Sequence, residues 1–121
     1  MDNLQFAHSR KNMVDCQLRP NKVTDERVLT AFETLPREEF VPRNQRAIAY
    51  VDEDLPLPGG RSMMEPMVLS RIVQALDVQQ HHSVLVVGGS TGYATAIMAC
   101  LADSVISIET RTQLVEKSQE T

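Results

Sequence analysis

The stretch VLVVGGSTGYATAIMA, Val84 to Ala99, decides the fold. Val84 to Val87 is an unbroken apolar run, the composition expected of a short strand covered on both faces. It drops into a turn holding Gly88, Gly89 and Gly92 and emerges as a helical pattern. The inner face of that helix is Ala94, Ile97, Met98 and, just beyond, Leu101. Val105, Ile106 and Ile108 make a second strand ending at Glu109, and Gln113 onward reads as the start of another helix. A strand–helix–strand unit of this length closes as a right-handed crossover between parallel strands. The glycine turn then falls at the carboxyl end of the first strand, where open α/β sheets bind ligands.

The turn has a definite chemistry. Glycine lets the backbone take positive φ and lets a ligand approach without meeting a Cβ. The helix that follows directs unpaired amides and a partial positive charge at the same place. A dinucleotide fingerprint needs glycine at the first, third and sixth positions. Counted from Gly88, the third is Ser90 and the sixth is Tyr93, so a nicotinamide-binding unit is disfavoured. Glycine at the first, third and fifth positions is similar to the loop of S-adenosylmethionine-dependent methyltransferases. Gly88 and Gly92 match that pattern and Ser90 does not. Glu109 ends the second strand about 20 residues on, where an acidic side chain accepts hydrogen bonds from ribose hydroxyls. Without a ligand, the same residues read as a tight turn and a solvent-facing carboxylate.

Upstream, the chain reads as helical. Thr24 is a candidate cap for a helix burying Val28, Leu29, Phe32 and Leu35, with Val23 and Val28 as a hydrophobic staple. Pro36 stops it, having no amide proton to continue the ladder. An earlier helix is expected over Arg10 to Leu18, ending before Pro20. Val41 to Gly60 is punctuated by prolines and glycines around the acidic run Asp52, Glu53, Asp54, which suits a solvated loop. A helix restarts at Pro66 with Leu69, Ile72, Val73 and Leu76 as its apolar face. Arg37, Glu38 and Glu39 read as an exposed helix-exit cluster, and His81 and His82 as surface residues.

With 121 residues, 23% charged and 42% hydrophobic, the chain has the composition of a globular domain or part of one. The net charge of −4 without a basic stripe argues against nucleic acid as a partner. No stretch has the roughly 18 apolar residues of a spanning helix, and the first 30 residues lack a signal-type apolar core. A cytoplasmic protein is therefore expected, with Cys16 and Cys100 as small core-type thiols and no metal-ligand spacing.

Three further stretches resemble the protein-L-isoaspartate O-methyltransferase family: MVDCQLRP (Met13 to Pro20), VTDERVLTAFETLPREEFVP (Val23 to Pro42) and AYVDEDLPLPGGRSMMEP (Ala49 to Pro66). With VLVVGGSTGY they run in the family's order from about Met13 to Glu109, and PREEFVP is the most specific element. The resemblance implies an α/β fold: an N-terminal helical extension followed by the start, β-α-β, of a Rossmann-like methyltransferase sheet. Residues 1–82 would be the extension and substrate-side loop, and 83–121 the first half of the cofactor-binding sheet. It further implies S-adenosylmethionine as methyl donor, held by Gly88, Gly89, Ser90, Thr91, Gly92 and Glu109. The acceptors would be isoaspartyl-containing proteins or peptides. The α-carboxylate is esterified, and the ester collapses to a succinimide that can reopen to aspartate. Most of the catalysis would be positioning of a carboxylate oxygen in line with the sulfonium methyl.

Two departures from the family pattern stand out. The family's active-site serine, in a threonine–hydrophobic–serine–x–proline segment aligned on Pro66, is replaced by Met64, whose thioether is only a weak acceptor. Ser62, at the threonine position, is the candidate substitute, while Met63 and Met64 also read as core filler. The second departure is length, since the later strands of the family sheet do not follow Glu109. A two-stranded sheet leaves unpaired edges, so the chain is expected to be truncated and weakly active. The alternative is a non-catalytic interaction module that forms a homo-oligomer through exposed edges.

Overall fold

The computed structural model describes residues 2–88 and 91–109. The helix expected from Gln113 lies outside the described residues, as do Gly89 and Ser90 of the glycine turn.

Helix α1, Asn3–Met13, begins well before the expected Arg10. A capping box explains the early start: the Gln5 amide donates to Asp2 Oδ1 and the Asp2 amide to Gln5 Oε1, both at 2.9 Å. The chain stays helical past Met13 through a π-helical turn at Val14–Leu18 and a 3-10 turn at Arg19–Asn21. Pro20 and left-handed Lys22 end it. Phe6, Met13, Val14 and Leu18 form its buried side.

Helix α2, Glu26–Thr34, is capped by Asp25 rather than Thr24. Asp25 Oδ1 accepts from the Arg27 amide at 2.9 Å. The Thr24 and Asp25 amides are instead taken by Gln74 Oε1, at 2.8 and 2.9 Å. With the cap moved by one residue, the Val23–Val28 pair no longer holds the staple positions, although both are buried. Val28, Leu29 and Phe32 are buried as expected and Leu35 is half-buried. Leu35 turns extended, as a residue before proline prefers.

The segment expected to be irregular contains 3-10 turns at Arg37–Phe40 and Arg43–Ile48. A small antiparallel ladder follows, β1 (Leu55–Pro56) with β2 (Ser62–Met63), pairing Leu55 with Met63 and Pro56 with Ser62. Asp52, Glu53 and Asp54 are exposed. Helix α3, Pro66–Leu76, starts at the expected proline. Its buried residues are Pro66, Ser70 and Val73, with Leu69 half-buried. Ile72 and Leu76 face outward, 45% and 58% exposed, so the stripe that packs is narrower than the apolar spacing suggested. Pro66, Ser70 and Val73 alone are spaced to face the neighbouring helices at i, i+4, i+7.

Strand β3, Ser83–Val87, helix α4, Tyr93–Ala99, and strand β4, Ser104–Ile108, form the expected β-α-β unit. The strands are parallel, in register from Ser83–Ser104 to Val87–Ile108. Ile97, Met98 and Leu101 are buried beneath α4. Val84, Val86 and Val105 pack on the core. The opposite face is open: Leu85 and Ile106 are 58% and 63% exposed, and Val87 and Ile108 also face out. The expectation of a strand covered on both faces is therefore corrected, because among the described residues every covering element lies on one side.

Cys16 and Cys100 are free and exposed, not core thiols. His81 and His82 are surface residues as expected. No described helix is long and apolar enough to cross a membrane.

Candidate functional site

Strand β3 delivers the chain to Gly88, whose φ of +68° is a conformation that side-chain-bearing residues rarely adopt. Gly92, at φ +97°, brings it back into α4. Between them Thr91 is 2% exposed, and its hydroxyl has no hydrogen-bond partner among the described residues. A buried hydroxyl without a partner is costly, so it marks a place where a polar ligand group fits. Helix α4 is only seven residues long, about two turns. The site therefore rests on the turn, the hydroxyl and the neighbouring carboxylate rather than on a helix dipole.

That carboxylate is Glu109, directly after β4. Its side chain is 5% exposed, so it does not simply face water. It is paired with Arg61, a residue that sequence reasoning passed over. One guanidinium bridges the two strand ends: Arg61 Nη1 is bonded to Glu109 Oε1, and Nη2 donates to the Gly88 carbonyl at 3.1 Å. A Cβ built on Gly88 would lie 2.8 Å from that nitrogen, so the space cleared by the glycine is filled by Arg61.

Next to this bridge is a cavity of about 450 Å³. Its walls are Val86, Val87, Gly88, Thr91, Tyr93 and Ala94 on one side and the run Gly60 to Met64, with Leu69, on the other. The fold thus brings the glycine turn and the loop carrying Ser62 and Met64 to one cavity, of a size that holds small ligands. Ser62 and Met64 are both exposed, whereas Met63 is 5% exposed and packs in the core. The core-filler role expected for the pair holds for Met63 alone. A larger hollow, about 600 Å³, opens between α2 and the segment Ala99–Asp103. It lies at the amino end of β4, away from the strand ends where α/β sheets bind ligands.

The loop is held from behind by Arg37. This side chain is fully buried, and Glu38 nearly so, which overturns the exposed cluster expected for Arg37, Glu38 and Glu39; only Glu39 is exposed. Arg37 Nε donates to the Ala49 carbonyl at 2.6 Å and Nη2 to the Met64 carbonyl at 3.1 Å. Its guanidinium carbon lies 4.9 Å from the centre of the Tyr93 ring. Burial pulls the Arg37 pKa down from its ordinary value, although a guanidinium stays charged. Burial also pushes the Tyr93 phenol up to about 12. Tyr93 packs edge-on to Phe32 and Phe40, 6.0 and 5.4 Å between ring centres. Its main role is packing, with one side on the cavity.

Glu38 completes a second buried group. It accepts from the Tyr50 hydroxyl and from Arg10 Nη2 at 3.2 Å, while Arg10 Nε donates to Tyr50 Oη at 2.8 Å. The PREEFVP block is therefore an internal brace: Arg37, Glu38, Phe40 and Val41 are all buried and none lines the cavity. On the outer rim, the hydrogen bond to Asp52 and the nearby acidic run raise the Glu65 carboxyl pKa. The Glu65 amide donates to Asp54 Oδ1 at 2.8 Å, which ties the acidic loop to the start of α3.

Comparison with known proteins agrees with this arrangement. A family model described as protein-L-isoaspartate(D-aspartate) O-methyltransferase matches residues 8–121. A protein-L-isoaspartate O-methyltransferase of Koribacter versatilis is 41% identical over 109 residues, which are 90% of this chain and 49% of the relative. One from Anaeromyxobacter sp. is 42% identical over 112 residues, 93% and 46% of the two chains. The chain thus spans about half the length of the curated relatives it matches. Among solved structures, a protein-L-isoaspartate O-methyltransferase superposes with a TM-score of 0.75 at 24% identity, over 92% of this chain and 37% of its own. A Plasmodium falciparum protein solved in complex with S-adenosyl-L-homocysteine gives 0.74 at 21%, over 92% and 53%. Both structures share the α/β fold with its helical N-terminal part. With the glycine turn and the 60–64 loop around one cavity and the strand-end acid beside it, the chain belongs to the protein-L-isoaspartate(D-aspartate) O-methyltransferase family.

Proposed function

We propose that this chain carries the methyl-donor half of a carboxyl methyltransferase acting on L-isoaspartyl residues, with S-adenosylmethionine as cofactor. The observation that carries the proposal is the meeting of Gly88, Thr91 and the 60–64 loop at one cavity beside Glu109. The donor supplies an electrophilic methyl group. Gly88 and Gly92, with Gly89 and Ser90 between them, give it close backbone approach, and Thr91 offers a hydroxyl partner. Glu109 accepts hydrogen bonds from its ribose hydroxyls. The acceptor enters over the loop, where Ser62 can donate to a carboxylate and Met64 cannot. In this division residues 1–82 serve the substrate side and 83–121 the donor side.

This chain is a weak catalyst in the proposal, because Met64 occupies the serine position. A non-catalytic module that self-associates through the open face of Leu85 and Ile106 is the second reading, favoured by that apolar surface. Methyl-labelled S-adenosylmethionine offered with an isoaspartyl peptide and its aspartyl counterpart separates the two. Slow labelling of the isoaspartyl peptide alone is the expected result. No labelling at saturating donor, together with a light-scattering mass that grows with concentration, favours the module. Turnover equal to that of a full-length relative would refute the weak-catalyst expectation.

A further inference from the structure

The bridge made by Arg61 has a use beyond packing. We propose that Arg61 is a carboxylate-exchanging residue: it covers the donor site in the free protein, yields Glu109 to the ribose, and then holds the carboxylate of the acceptor. This rests on the methyl-donor reading of the Gly88 turn.

Three observations carry it. The guanidinium lies against Gly88, at the spot a close-approaching ligand needs, and it is bonded to the carboxylate that ligand would use. Donor and Arg61 cannot share that place, because the guanidinium already fills the space beside Gly88, and the donor's sulfonium adds like charge to that steric exclusion. Arg61 is also the one charged side chain among the described residues lining the cavity. Its pairing with Glu109, one bond from Nη1 to Oε1, shows that it can hold a carboxylate there.

The movement needed is confined to a side chain. The Arg61 carbonyl accepts from the Leu57 amide at 2.7 Å, and the ladder of β1 with β2 begins at the next residue. The backbone is therefore fixed while four side-chain torsions remain free. The Arg61 side chain is 26% exposed and lines the cavity, so its guanidinium can turn toward it without crossing the core. Once Glu109 is committed to hydroxyl donors, the displaced cation needs a new anion. The acceptor brings one, and the two ligands then bind in order, donor first.

Titration calorimetry with S-adenosylhomocysteine on the full chain tests the first step. Arg61→Gln and Arg61→Ala are expected to bind about tenfold more tightly than wild type, the effect of one charge-assisted pair no longer broken on binding. Arg61→Lys, which keeps the charge but not the two-nitrogen bridge, should fall between wild type and R61Q. Equal affinity of wild type, R61Q and R61A refutes the cover while leaving the donor site intact. No binding by any of them removes the donor site and this inference with it. A far-UV circular dichroism melt verifies that the variants are folded. The second step is read by isoaspartyl peptide binding. Wild type should bind the peptide at least fivefold more tightly with S-adenosylhomocysteine present, and R61Q should lose that gain. The same peptide affinity for wild type and R61Q at saturating S-adenosylhomocysteine, undetectable binding included, overturns the transfer to the acceptor.

Discussion

Arg37→Ala removes the brace behind the 60–64 loop, and its cost can be worked from the contacts. Two charged hydrogen bonds disappear, to Ala49 O and Met64 O, each worth about 1.5–3 kcal/mol. The stacked position over Tyr93 adds up to about 2 kcal/mol when desolvated. Against these stands relief of the guanidinium's own desolvation, several kcal/mol, the same force that pulls its pKa down. Truncation also leaves a cavity and an unpaired carbonyl at Ala49. The net expectation is a loss of about 3 kcal/mol, roughly a hundredfold or more in the folded-to-unfolded ratio. Arg37→Met fills the space and should lose about 2 kcal/mol, because it forfeits the bonds but not the packing. Urea unfolding followed by circular dichroism measures both. The loop provides a local readout: released from Arg37, the 61–65 segment should be cut faster by a non-specific protease at urea concentrations well below the midpoint. An R37A protein within 0.5 kcal/mol of wild type would refute the view of Arg37 as the brace.

Gln74 joins α3 to the entry of α2 through the Thr24 and Asp25 amides and the Lys22 carbonyl. Gln74→Ala should cost about 2 kcal/mol in the same urea assay, with Ala75→Ser beside it as a neutral control. Tyr93 predicts an alkaline limit. Its folded pKa of about 12 lies above the ordinary 10.0, so the folded state holds the proton more tightly. That stabilisation is complete below pH 10 and is lost as pH rises through the window to about 12. Tyr93→Phe should flatten the fall in melting temperature across this window, leaving the part due to Tyr50, whose phenol burial also raises. An unchanged slope in Y93F would show that the phenol does not govern it.

Which features were legible in the sequence follows from how local their causes are. The turn of β3 into α4, the parallel partner β4 and the start of α3 at Pro66 all depend on nearby residues, and all are present. The cover of the sheet was misread because Val84–Val87 looks the same whether one face is packed or two. The difference lies in what elements are available to pack against it. Arg37 and Glu38 look like a solvated charge run. Their burial depends on Ala49, Tyr50, Met64 and Arg10, none adjacent in sequence. A clue was present in Phe40 and Val41, two apolar residues directly after the charges. Arg61 was invisible for the same reason, since its carboxylate partner is 48 residues away. Met63 and Met64 divide because Met63 takes the core side of the short β2 strand, opposite Ser62, while Met64 lies just beyond the strand and is exposed.

The donor site at the glycine turn is the central claim, and calorimetry with S-adenosylhomocysteine on wild type, Gly92→Asp and Glu109→Gln tests it most directly. Gly92→Asp places a charged side chain at a positive φ in the turn, and Glu109→Gln removes the charge of the proposed ribose acceptor while preserving its shape. Saturable one-to-one binding by wild type, abolished in G92D and weakened about tenfold or more in E109Q, is the predicted result. A flat trace for wild type, or equal binding by all three folded proteins, would contradict it.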